Sequence, residues 1–299
     1  MSALPTARRA ALAAALLLAA CGGADPSPAP SPARDASRTV RDTTGAEVRL
    51  PAEVRRIVTT VPGLTETVLA MGLGVALVGV SDQDPTAGAV GALPRIAVWP
   101  AISPEAVAAL RPDLLLVDRT LSAGDLEALR RRFAGTFATD SRSLDGLRES
   151  FLRIAEAVGH ERRGQLLAAD LDRARRDARV PGRPKVLLLG QGDPPIALGP
   201  GSLLDDMVRA VGGENVAFDL GRASGELSPE LIRARAPEWI LRTGGTFPDA
   251  LRERWATVPA VARGHVVDLS GAEFVQAGPG TAGALLRLAG ILAGTGPGR

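Results

Sequence analysis

The sequence predicts a two-lobed α/β protein, each lobe built on a central parallel sheet covered on both faces, and three observations predict it. Short apolar runs rich in β-branched residues alternate with helical patterns, an order that calls for crossover connections between parallel strands. From about Thr39 the alternation continues for roughly 260 residues, more than one core usually holds. Between the two runs of alternation, Leu144 to Ala178 carries helical spacing and no strand pattern.

Residues 1–21 read as a targeting segment. Arg8 and Arg9 form the positive flank, Ala10 to Leu18 the apolar run, and Leu18-Ala19-Ala20-Cys21 a small-residue cleavage site. The apolar run is shorter than the about 20 residues a membrane-spanning helix needs. Cys21 is the only cysteine, so no intramolecular disulfide can form, and its setting resembles the lipobox of bacterial lipoproteins. That resemblance implies lipidation at Cys21 and a location outside the cytoplasmic membrane. Residues 22–38 are a Pro/Ser-rich linker with too little apolar surface to pack. The N-terminal lobe is expected over 39–143, a bridging helical segment over 144–183, and the C-terminal lobe over 184–299.

In the first lobe Arg56 to Val61 is a buried strand, followed by a helix from Leu64 to Met71 that stops at Gly72. Ala76 to Val80 and Leu114 to Val117 are further strands, with a helix at 104–110 between them. The second lobe repeats the scheme: a strand at Lys185 to Gly190, a helix from Ser202 to Val211 halted by Gly212-Gly213, strands at Glu238 to Leu241 and His265 to Leu269, and a final helix from Ala282 to Ala293. In the bridge, a helix of about 19 residues over 161–179 would be about 28 Å long. It is expected to cross between lobes and to limit closure.

An internal repeat joins the halves. Ser103-Pro104-Glu105 recurs as Ser228-Pro229-Glu230, and Arg111-Pro112-Asp113 as Ala236-Pro237-Glu238, with one common offset (228 − 103; 237 − 112). Serine caps a helix, proline suits its first position, and glutamate in the first turn faces the positive end of the dipole. Capping accounts for one glutamate. Two in equivalent places suit paired basic sockets on a symmetric partner.

These motifs, with Pro62-Gly-Leu-Thr-Glu66, Gly72-Leu-Gly74, Leu77-Val-Gly-Val80, Leu93-Pro94, Gly199 through Asn215, and Trp255 to Val261 with Gly264-His-Val266, resemble the helical-backbone class of periplasmic binding proteins over roughly residues 38–293. That class serves importers for vitamin B12, iron-siderophores and heme. The resemblance implies two Rossmann-like lobes joined by a long bridging helix, with a ligand cleft between them. It implies a monomeric binding protein rather than an enzyme, partnered by an ABC permease dimer, with Glu105 and Glu230 docking into permease arginines. It implies no resident cofactor, the cargo being a metal chelate such as cobalamin, an iron-siderophore or heme.

The residues narrow the cargo. Two histidines and no cysteine beyond Cys21 cannot build the three- or four-ligand site of a bare transition metal. His160 and His265 read as structural. Tyrosine is absent, which bears against axial ligation of heme, although Glu273-Phe-Val-Gln-Ala-Gly-Pro279 resembles the heme and siderophore branch. Trp99, six residues before Glu105, resembles the corrinoid-contacting tryptophan of B12 binders, while Ser224 and Asp118 stand where their other aromatics fall. Loops at the carboxyl ends of strands face the cleft in such sheets, which makes Gln83, Trp99, Arg119, Gln191, Arg222, Arg242, Phe274 and Gln276 candidate ligand contacts. Arg222 and Arg242 would be the counter-charges of an anionic chelate.

Other classes find little support. The formal charge of +2 includes Arg8 and Arg9, leaving the rest near neutral and without the basic excess of a nucleic-acid binder. No Gly-x-Ser-x-Gly elbow occurs, and Gly72-x-Gly74 and Gly190-x-Gly192 lack the third glycine of a dinucleotide site. A surface lipoprotein of this fold without a transport role remains the alternative of another class.

Overall fold

Where the chain is apolar for several residues without a break it forms central strands, and their neighbours arrange around them. The computed structural model describes residues 37–85, 88–98, 101–190, 196–244, 247–269 and 271–295. The first half opens with an antiparallel hairpin, β1 (Ser37–Arg41) and β2 (Glu47–Pro51). Then come β3 (Ile57–Thr59), α1 (Pro62–Ala70), β4 (Leu77–Ser81), β5 (Arg95–Ile96), α2 (Pro104–Ala109), β6 (Leu114–Asp118), α3 (Ala123–Arg132) and β7 (Thr136–Thr139). Strands β3 to β7 form one parallel sheet in the order β5-β4-β3-β6-β7.

Successive residues of β6 feed opposite faces. Leu114 and Leu116 pack with α1 and the hairpin, whereas Leu115 and Val117 pack with Val107 of α2 and Leu126 and Leu129 of α3. This alternation, apolar on both faces, is why the strand reads as a continuous hydrophobic run.

Two helices follow, α4 (Leu144–Val158) and α5 (Glu161–Asp177). The single bridging helix expected over 161–179 is instead the second arm of a helical hairpin. Gly159, at φ 74°, ends α4 in the left-handed conformation, and α5 starts two residues later. Gly164 lets the arms close: a β-carbon there would lie 2.3 Å from Ala155 Cβ and 2.6 Å from the Phe151 carbonyl oxygen. The crossing is carried as much by α4, whose Leu144, Leu147 and Phe151 belong to the core of the second half and whose Ile154, Ala155 and Ala157 belong to that of the first.

The second half runs β8 (Lys185–Leu189), β9 (Ala197–Leu198), α6 (Leu203–Val211), β10 (Glu214–Asn215), β11 (Ser224–Gly225), α7 (Pro229–Arg235) and β12 (Trp239–Arg242). It ends with α8 (Asp249–Arg254), α9 (Pro259–Ala262), β13 (Val266–Asp268), α10 (Ala272–Val275) and α11 (Thr281–Leu292). The sheet order is β11-β9-β8-β12-β13, with β10 also paired to β8. Strands β8, β10, β12 and β13 are parallel, but β9 runs antiparallel to β8 and β11 antiparallel to β9. The sheet is mixed because the connection from β8 to β9 is short, and a short connection returns the chain antiparallel. Val186 and Leu188 pack with α6 and α11 on one face, Leu187 and Leu189 with Ile232 and Trp255 on the other. Among the described residues no helix is long and apolar enough to cross a membrane.

Candidate functional site

In the first sheet the chain leaves β3 toward β4 on one side and later returns to place β6 on the other, so adjacent strands diverge outside their carboxyl ends. Ligands of open α/β sheets bind at such a switch point. A cavity of about 180 Å³ lies here. Its walls come from the first turn of α1 (Val61, Gly63, Thr67), the ends of β6 and β7 (Asp118, Thr120, Thr139, Ser141) and the inner face of α4 (Leu147, Ser150, Phe151, Ile154). Gln83, after β4, and Val275, Gln276 and Ala277 complete it. Both halves of the molecule therefore contribute.

Two glycines set the contact between the halves. A β-carbon on Gly63 would fall 1.9 Å from the Ala277 carbonyl oxygen, and one on Gly278 would fall 3.1 Å from Gly63 Cα and from Glu66 Oε2. At Gly63 backbone meets backbone, a separation only glycine permits, while at Gly278 the fit is tight.

The polar side chains are ordered by local bonds. Asp118, 3 % exposed, accepts from the Thr120 amide at 2.9 Å, and the Thr139 hydroxyl, which donates to the Val117 carbonyl at 3.0 Å, lies 3.3 Å from its carboxylate. Asp140 accepts from Arg142 at 2.7 Å and Arg119 at 3.1 Å, and the Arg142 hydrogen bonds hold its carboxyl below the usual range. The Ser150 hydroxyl accepts from the Asp140 amide at 3.0 Å and donates to the Gly146 carbonyl at 2.8 Å. Outside the cavity lining, burial pushes the carboxyls of Asp84 and Glu66 up, and the Asp84 charge adds to the shift of Glu66.

Of the candidate contacts, Gln83 and Gln276 line the cavity. Arg119, between the lining residues Asp118 and Thr120 in sequence, is not itself in the lining and pairs its guanidinium with Asp140. Arg242 is 6 % exposed, donates to the Gly244 carbonyl at 2.8 Å and lies 5.6 Å from the Phe247 ring centroid. Phe274 is in the core under the Arg287 guanidinium, and Arg222 is exposed. Trp99, Gln191 and Cys21 fall outside the described residues. His265 stacks on Trp239 at 4.1 Å, and His160 is the N-cap of α5. Among the described residues no group of three or more His, Cys, Asp or Glu side chains could hold a metal ion. Sequence reasoning noted Asp118 only as standing where B12 binders carry an aromatic contact, and it missed Thr139 and Ser141 as lining residues, although both lie at or just past a strand end. It also missed Ser150, the one polar residue in the apolar stripe Leu147, Phe151, Ile154.

The repeat is reproduced in detail. Ser103 and Ser228 cap α2 and α7 by accepting from the Ala106 and Leu231 amides, each at 3.2 Å. The Glu105 and Glu230 side chains, each 72 % exposed, pair with Arg132 at 3.1 Å and Arg233 at 2.9 Å. Asp113 accepts from the Arg56 amide and returns its own amide to the Arg56 carbonyl. Glu238 does the same with Lys185. Arg111 (φ 44°) and Ala236 (φ 47°), each before the repeat's proline, are the non-glycine residues at positive φ among those described.

Residues 57–272 match the periplasmic binding protein family, and the chain belongs to that family. An ABC transporter substrate-binding lipoprotein of Bacillus subtilis is 27% identical over 295 residues, spanning 90% of this chain and 91% of its own. The vitamin B12-binding protein of Yersinia pestis is 28% identical over 201 residues, 65% of this chain and 72% of its own. The periplasmic heme-binding protein of Roseiflexus sp. RS-1 in apo form superposes with a TM-score of 0.68 at 28% identity, covering 81% of this chain and 99% of that one. The periplasmic vitamin B12 binding protein of Vibrio cholerae shares the fold with a TM-score of 0.68 at 24% identity, over 81% and 98%. The protein is thus an extracytoplasmic substrate-binding protein of an ABC transporter, not an enzyme.

Proposed function

We propose that the protein, anchored by lipid at Cys21, captures a preassembled metal chelate, a corrinoid or an iron-siderophore, and delivers it as a monomer to an ABC permease dimer through Glu105 and Glu230. The observation that carries the cargo assignment is the cavity at the switch point, walled by both halves, with neither histidine, cysteine nor methionine among its described lining residues and no tyrosine anywhere in the chain. Its one ligating carboxylate, Asp118, cannot complete a metal's coordination sphere, and among the described residues no group of three or more His, Cys, Asp or Glu side chains could, so the cargo brings its own sphere while the protein supplies apolar contact and hydrogen bonds. Heme is the second reading, favoured by the 28% identity with the Roseiflexus heme-binding protein.

A visible-absorption titration of the purified protein with cyanocobalamin, hemin and ferric siderophores separates the readings. The expected result is co-elution of a corrinoid or a ferric siderophore with a saturable spectral change. Co-elution of hemin alone installs the heme reading, and co-elution of nothing ends the chelate assignment in favour of a surface lipoprotein without transport.

A further inference from the structure

We infer that the 180 Å³ cavity seats a projecting arm of the ligand rather than its body, and that this arm is a neutral or cationic hydrogen-bond donor, not a carboxylate. The inference rests on the proposed chelate reading and adds the chemistry of one subsite to it. At about 30 Å³ per water, the space holds about six waters, hence an arm of about six non-hydrogen atoms. Whole small-molecule sites run from about 300 Å³ upward, so the body of a macrocyclic or hydroxamate complex lies outside.

The lining is rich in acceptors. Three of its hydroxyls have their protons committed to backbone carbonyls: Thr67 to Gly63 at 2.7 Å, Ser150 to Gly146 at 2.8 Å and Thr139 to Val117 at 3.0 Å. These oxygens keep lone pairs, one of Ser150's being filled by the Asp140 amide, and Asp118 is an acceptor as well. A ligand group buried against them satisfies them by donating, whereas one that only accepts leaves them unpaired and has the Gln83, Gln276, Thr120 and Ser141 donors alone to pair with.

Charge points the same way. Among the described residues, Asp118 is the ionisable side chain in the lining, and arginine, lysine and histidine do not occur there. Arg119 and Arg142 are both bound by Asp140. Arg242, expected as a counter-charge, donates to the Gly244 carbonyl. A carboxylate arm would sit beside the buried Asp118 carboxylate, which the Arg142 guanidinium reaches electrostatically while bonded to Asp140.

The test uses the full-length protein and three probes of about the right size, pentylammonium, pentanamide and pentanoate, with binding read by ligand-observed NMR at millimolar concentration. Pentylammonium and pentanamide are expected to bind, with pentanoate about tenfold weaker or undetectable. Thr120→Phe, at an exposed lining position, is expected to remove the binding, and Asp118→Asn to narrow the gap between pentylammonium and pentanoate. Pentanoate binding as well as the others, no probe binding, or binding indifferent to Thr120→Phe overturns the inference. Probe binding as expected without binding of any chelate overturns the chelate reading and leaves the donor preference of the cavity standing; chelate binding without probe selectivity does the reverse.

Discussion

Asp42 shows how much one buried carboxylate can organise. Only 2 % exposed, it accepts from the Thr44 amide at 2.8 Å, the Thr44 hydroxyl at 2.6 Å, the Ala46 amide at 3.1 Å, the Arg130 guanidinium at 2.6 Å and the Ala138 amide at 3.2 Å. These bonds tie the β1-β2 turn to α3 and β7. Burial alone would raise its pKa, but the bonds from Thr44, Ala138 and Arg130 outweigh burial and hold the carboxyl below its ordinary value. A depressed folded-state pKa contributes stability that is fully present above the unfolded value, about 3.9, and is lost as pH falls through the folded one. Asp42→Asn is therefore expected to cost about 2 kcal/mol at pH 7, since it strips several donors of their charged acceptor. Urea unfolding of the two proteins at pH 7 and near pH 3 checks this. The difference should shrink at the lower pH, and an equal difference at both would remove the carboxylate from the account.

At the scale of elements, the repeat was legible because its signals are local. Serine caps, prolines at the first helical position and the carboxyl residues after the second proline all act within a few residues, and both copies form as read. The strands β6, β8 and β12 were legible because they are apolar on both faces. The pairs β9, β10 and β11 were not, since two residues carry no period. The helical hairpin was read as one crossing helix because sequence spacing does not tell which core a turn of helix serves. Of the cavity, strand-end logic located Gln83, and Gln276 was also legible, but the committed hydroxyl protons depend on carbonyls that only the folded chain supplies. Invisible too was the strain before each proline. Arginine and alanine disfavour the left-handed region, where Arg111 and Ala236 are nevertheless held. Replacing Ala236 by glycine should relieve it and stabilise the protein by about 1 kcal/mol, the strain relieved less the cost of the unfolded-state entropy added. Arg111→Gly should do likewise, and because the two sites belong to different sheets their effects should add. Thermal unfolding of both single variants and the double decides it, and a fall in stability for both would show that the left-handed backbone is not strained.

Across the whole molecule, the spine limits what ligand capture can change. Because α4 buries its first turns in one core and its last in the other, the halves cannot rotate far without bending a helix or uncovering Phe151 and Ile154. The backbone contact of Gly63 with Ala277 sets a further stop on closure. A receptor that closes little keeps its surface corners at a nearly fixed separation, and under the proposed docking a symmetric permease would read where two carboxylates stand. Glu105 and Glu230 meet that need: each is exposed at the start of a repeat helix, and the arginine beside each is a weak surface partner that a permease cation can displace. Reversing both charges, Glu105→Arg with Glu230→Arg, should cut uptake to background by setting like charges against each other across the proposed interface. Both positions lie away from the cavity lining, so cargo affinity should stay within about twofold, a difference of under about 0.5 kcal/mol. Uptake of labelled cargo by cells carrying the double variant, with the dissociation constant measured on the purified protein, separates docking from capture; uptake at the wild-type rate would show that the permease does not read these two carboxylates.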